Sequence, residues 1–465
     1  MIDLVNVKYF QDKFFIRLNG FDLDKLDTFA DDSTFSQQQA IYMHEYYHYL
    51  TNLTTFYGAR QFNCRFQDRV RLITILLKKK GLDAFPLNNN NNLNCKYEVE
   101  YWNSLNELFE LDDVDNYVAE KVEESPSHKF SIVRCTPLKW PLSVQVNGQT
   151  IKGAHLYYKI DIRDVPFVQH FYLSDGMIDE FLSASIDEFM FEHDLADNCD
   201  VLRAQTFYPY RTLDTLLDFF HVVGLTARDK ILISYYALHS INPIDALIKL
   251  LEKMRKDQGA AFKANPEVYL LGCLSGNEQN AYASIVQYED VYIQECLSHG
   301  RKNLADTMAL IYRKQYMAVE RLRQDFFYFV RPFTVESIET EEGRAEMLKR
   351  FKKIREEMDE PVVIQNGKMI AADTDTYKNH LAMQIAIYEI MDSLWVSRIA
   401  KRIRGDRYDY PVSTPDNDKL ENLVDAMPLT ETWHVALNEL GLYGEYLKEK
   451  KSRYGTLQSK FQSRR

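Results

Sequence analysis

The hydrophobic period changes several times along the chain. In the first 35 residues, KYF and KFFIRL alternate around a polar turn and predict a strand pair, followed by an Asp-rich loop. Ser36-Gln37-Gln38-Gln39 fits a capping box, with Ser at N-cap and Gln at N3. Helical spacing then runs to Gly58, a C-terminal stop, so the caps predict one helix of roughly twenty residues. A second amphipathic helix is predicted from about Arg60 to Lys80, ending at Gly81.

LNNNNNLN is a low-complexity loop. Beyond it KYEVEYW, FSIVRC and LSVQVNGQTIKGAHLYYKIDI alternate in strand fashion, and Asn147-Gly148 predicts a two-residue hairpin turn. Helical spacing returns at Ser174 with SDGMIDEFLSASIDEFMFEH. From about residue 200 the pattern is mostly helical, as in TLDTLLDFFHVVG, KILISYYALHSI and PIDALIKLLEKM, the last with Asn242 as cap and Pro243 at the first helical position. PVVIQNGKMI interrupts it as a short hairpin around Asn366-Gly367. The expected class is α+β. A mixed region over 1–200 precedes a mainly helical accessory region over 201–465.

Composition narrows the picture. The 465 residues are 46% hydrophobic and 27% charged, enough to bury a real core. A net charge of −12 argues against general nucleic-acid binding, which depends on clustered Lys and Arg. The basic end, from Lys448 to Arg465, is the local exception and reads as solvated charge. The six cysteines are far apart with no CxxC, which suggests reduced thiols. No basic-then-apolar leader opens the chain, and no apolar run is long enough to span a membrane. The expectation is a cytoplasmic protein.

One stretch carries chemistry. IYMHEYYHYL places His44 and His48 four residues apart, so both imidazoles project from one face of the first helix. That spacing brings two nitrogens within reach of a single tetrahedral Zn2+. Glu45, one residue round the helix, is placed to contact a water on the metal's open position and to take its proton. Motifs for nucleotide, serine-hydrolase, kinase and zinc-ribbon chemistry are missing from the sequence.

The stretch resembles the HExxH signature of zincin metallopeptidases, with uncharged neighbours at Ile41, Tyr42, Tyr46, Tyr47, Tyr49 and Leu50. The metzincin branch would place Gly at 51 and His at 54, where this chain has Thr51 and Thr54. The remaining resemblance, to gluzincins, implies a third ligand from a glutamate on a later helix. Glu180-Phe-Leu-Ser183-Ala-Ser-Ile-Asp187 is the best match, with Phe181 where that family usually has Gly. Small residues at Ser183 and Ala184 would let this helix approach the first, and Asp187 or Glu188 would orient a ligating histidine. Asp179, Glu188, His170 and His193 are rivals for the third position. Tyr157, Tyr208 and Tyr210 are candidates for an oxyanion donor.

The resemblance implies a zincin-like region over 1–200 that hydrolyses peptide bonds through a metal-activated water. Zn2+ would be held by His44, His48 and Glu180, with Glu45 as the base. The expected partner is a protein or peptide substrate, with no nucleic acid and no membrane. The competing expectation is a helical interaction module in which HExxH is structural.

Overall fold

The structure is a computed structural model that describes residues 7–10, 14–18, 37–68, 70–72, 74–75, 131–146, 149–163, 170–195, 210, 212–359, 361–365, 368–370, 435 and 438–440. In chain order they form β1 (Val7–Phe10), β2 (Phe15–Leu18), α1 (Gln37–Thr54), α2 (Phe56–Phe62), a π-turn over Asn63–Asp68, β3 (Ser131–Val146), β4 (Gln149–Arg163), β5 (His170–Leu173) and α3 (Asp175–Glu192). Then come α4 (Thr212–Phe219), α5 (Ala227–Leu238), α6 (Pro243–Met254), α7 (Ala260–Ala264), α8 (Pro266–Leu271), α9 (Gly276–Ser298), α10 (Lys302–Gln324), a 3-10 segment (Tyr328–Thr334), α11 (Glu341–Met358), β6 (Val362–Gln365) and β7 (Lys368–Ile370). This is an α+β chain, mostly helical.

Two small sheets accompany the helices. β3, β4 and β5 form an antiparallel sheet in that order, and Val146 opposes Gln149 across the Asn147-Gly148 position, as the turn signal predicts. The other sheet has the order β1-β2-β6-β7 and joins two distant hairpins. β1 and β2 are antiparallel with Tyr9 opposite Ile16, whereas β2 runs parallel to β6 with Phe15 opposite Val362. Each hairpin was legible alone; their pairing was not. The capping box at Ser36 and the strand signal KYEVEYW lie outside the described residues.

α1 is buried on nearly every side: Ile41, Tyr42, Met43, Tyr46, Tyr47, Tyr49, Leu50 and Leu53 are all in the core. A helix apolar all round belongs at the centre of a fold. Tyrosine adds a hydroxyl that must find a partner when buried. Tyr49 donates to Met358 O at 2.9 Å, Tyr46 to Asp359 O at 3.3 Å and Tyr47 to Phe329 O at 3.1 Å. Buried Lys314 donates to both Tyr49 Oη (2.8 Å) and Met358 O (2.9 Å), satisfying a terminal carbonyl of α11. Tyr46 and Tyr49 therefore fasten α1 to the end of α11, and Tyr47 fastens it to the 3-10 segment.

Gly58 does not end the first helix. The break falls at Thr55, whose extended backbone (φ −113°, ψ 158°) and side-chain bond to Gly58 N, 3.1 Å, make it the N-cap of α2. Gly58 is required for a different reason: a Cβ there would collide with the Asn52 backbone. The helix expected from Arg60 likewise starts earlier, at Phe56, and passes into the π-turn at Asn63.

α3 begins where the sequence places it, with Ser174 at N-cap. Asp175, in its first turn and fully buried, accepts Arg60 Nη2 at 2.6 Å on one oxygen and Ile244 N at 2.9 Å on the other. This carboxylate ties α2, α3 and α6 together. Asn242 holds the N-cap position of α6 but makes no side-chain cap bond, so the cap is supplied by Asp175 instead.

Candidate metal centre

α1 presents His44 and His48 towards α3, and α3 answers with four residues. At about 100° per residue, Asp179, Ser183, Asp187 and Glu180 fall within an arc of about 100°. His48 Nδ1 lies 2.8 Å from Asp179 Oδ2, and His44 Nδ1 lies 2.8 Å from Asp187 Oδ2. Thr51 donates to the other oxygen of Asp179 at 2.5 Å, so that carboxylate is itself fixed. Buried Ser183 sits 3.4 Å from His48 Nδ1; its small side chain allows the helices this close.

The contacts fix which nitrogen faces which partner. Each ring turns Nδ1 to a carboxylate, which can only accept when ionised, and Nε2 towards the other ring. The two Nε2 atoms are 3.2 Å apart, and Glu180 Oε2 is 3.6 Å from that of His48. Donor atoms of His44, His48 and Glu180 all lie within 4.8 Å of one another. Three groups that can each donate an electron pair once deprotonated thus face one another. A tetrahedral zinc with bonds of about 2.0–2.1 Å holds two nitrogens about 3.3–3.4 Å apart, close to the spacing of the two imidazole nitrogens.

Electrostatics point the same way. Burial pulls the His48 pKa down, but Asp179, Glu180 and Glu45 outweigh it and hold the ring up at about 10. His44 is also raised, burial being overcome chiefly by Asp187. Glu180, about one quarter exposed, is raised by burial against the pull of both imidazoles. The negative potential that makes these rings basic also favours a bound cation.

Glu45, on the same helix, has its Oε2 bonded by Tyr9 N at 2.6 Å. Among the rival ligands, Asp179 faces His48 from behind, through Nδ1. Glu188 is turned away and paired with Lys230 at 2.6 Å, which Asp214 shares. His170 is exposed on β5 beside Tyr172, and His193 pairs with Glu339 at 3.3 Å. Of the two candidate orienting residues, Asp187 reaches His44, whereas Glu188 is paired with Lys230. Tyr210 lies edge-on to His44 with ring centroids 6.2 Å apart; Tyr157 lies tilted against Tyr172; Tyr208 lies outside the described residues.

Asp179 in an orienting role, Thr51 and Tyr9 were not read from the sequence as parts of this site. Thr51 carries a weak signal, standing one turn after His48. Tyr9 carries none, because a strand 36 residues away has no periodic relation to the helix. No family model matches this chain, and no curated protein or solved structure matches it.

Proposed function

We propose that the chain is a zinc-dependent metallopeptidase of gluzincin type, with His44, His48 and Glu180 as metal ligands and Glu45 as general base. One observation supports the reading above the others. Both imidazoles are tied at Nδ1 to carboxylates of one helix, which leaves both Nε2 atoms and Glu180 converging on a single point.

A zinc ion bound there would supply a Lewis acid that polarises a carbonyl oxygen and acidifies a water. The chain's own residues do the rest. Asp179 and Asp187 keep the donor nitrogens aimed, and Glu45 takes a proton from the attacking water and returns it to the leaving amine nitrogen. The substrate class is a protein or peptide. No described helix is long and apolar enough to cross a membrane. Cys135, Cys273 and Cys296 are free thiols, which supports a reducing, cytoplasmic setting for this activity.

The test is metal content together with cleavage of a mixed peptide pool. The purified protein should carry about one zinc per chain and His44→Ala should lose it. Glu45→Gln should retain zinc and fold while cleavage disappears. A metal-free parent protein, or cleavage by Glu45→Gln at the parent rate, would overturn the reading in favour of a structural HExxH helix.

A further inference from the structure

Tyr9 lies along α1, touching two turns of it. Its N–H donates to Glu45 Oε2 at 2.6 Å, and its ring is within 3° of parallel to the His48 imidazole, centroids 6.5 Å apart. The same ring meets Tyr49 at 77°, and its hydroxyl accepts from Asn52 Nδ2 at 2.8 Å. Positions 45, 48, 49 and 52 are an i, i+3, i+4, i+7 stripe on one helix face. A single strand residue thus splints the stretch of α1 that carries the motif.

The strand is held in turn. Among the described residues β1 is the edge of the sheet β1-β2-β6-β7, and Tyr9 is opposite Ile16 of β2. The outward N–H groups of an edge strand have no ladder partner. At Tyr9 that outward group is given to the Glu45 carboxylate, in a site where the residue is only 6% exposed. Hydrogen bonds from backbone amides to carboxylates are charge-assisted and roughly twice as strong as neutral ones.

We infer that Tyr9 is a positioning residue for Glu45, acting through its backbone amide while its side chain seats the strand on α1. The inference rests on the reading of Glu45 as general base. A carboxylate on an otherwise free side chain samples several rotamers. With Oε2 anchored, Glu45 holds one of them, and Oε1 is the oxygen assigned to proton transfer.

Two substitutions separate amide from side chain. Tyr9→Ala keeps the N–H and Tyr9→Pro removes it, at an edge position where proline is tolerated. Val7→Pro is the control for proline in β1, since N–H groups two residues apart face the same side. Tyr9→Pro should lower kcat about tenfold or more below Tyr9→Ala, with KM and zinc content unchanged and Val7→Pro close to the parent. Independently of turnover, the Tyr9 amide should be protected from hydrogen exchange in the parent and exchange faster in Glu45→Ala. Equal kcat for Tyr9→Pro and Tyr9→Ala in a zinc-loaded, active protein overturns the amide's role and leaves Glu45 as base. So does exchange at Tyr9 that ignores Glu45→Ala. A parent protein without zinc or turnover overturns both readings.

Discussion

Asp179 Oδ2 lies 2.8 Å from His48 Nδ1, and the next residue of the same helix, Glu180, approaches the opposite nitrogen of that ring at 3.6 Å. Two adjacent carboxylates thus flank one imidazole, one at each ring nitrogen. Because α3 also supplies Asp187 to His44, the geometry of the centre depends on how α3 is seated against α1.

If these carboxylates orient the rings, removing one should weaken metal binding without abolishing it. Asp179→Ala and Asp187→Ala should each lower zinc affinity about 10- to 100-fold, read by competition with a chromogenic chelator. Parent-like affinity in both variants would mean that the rings are aimed by packing alone.

Gly58 sits where α2 crosses back over Asn52. Gly58→Ala should destabilise by about 1–3 kcal/mol, because backbone cannot yield as a flexible side chain does. A urea midpoint equal to that of the parent would contradict this close approach.

Asp175 is fully buried while its partner Arg60 is 17% exposed. Asp175→Asn leaves an acceptor for Ile244 N but removes the charge opposite Arg60, at a cost of about 3 kcal/mol. Asp175→Ala also removes the cap and should cost about 1 kcal/mol more. Equal losses in urea unfolding would show that the cap of α6 adds nothing.

His239 is caged by Tyr235, Phe326 and Tyr282, with ring centroids 4.7, 4.9 and 6.0 Å away. Burial pushes its pKa from 6.5 down to about 3. The unfolded chain therefore binds this proton first: the contribution of the neutral ring is complete above pH 6.5 and is lost as pH falls towards about 3. The slope from this one group is at most about 1.4 kcal/mol per pH unit. His239→Phe should flatten the acid side of the stability curve below pH 6.5, measured by urea titration at several pH values. The same slope in parent and variant would refute the assignment.

Local signals carried most of the elements. Turn residues marked the hairpin at Asn147-Gly148, and apolar spacing marked α1 and α3. The HExxH spacing and the Glu180-to-Asp187 pattern brought together residues that the fold places side by side. What escaped were relations between distant segments. Gly58 was read as a stop because glycine commonly ends helices, but steric contact with Asn52 accounts for it. Asn242 has the right identity for a cap, yet a carboxylate from another helix has the better geometry. The parallel pairing of β2 with β6 leaves no trace in either strand, since each needs only its own alternation.

That pairing has a consequence for the growing polypeptide. A lone two-stranded ribbon is marginally stable in water. β2 therefore gains its parallel neighbour only once Val362 to Ile364 have emerged from the ribosome. A nascent chain that already holds both histidines and the β1–β2 hairpin is thus still missing the two strands that complete this sheet.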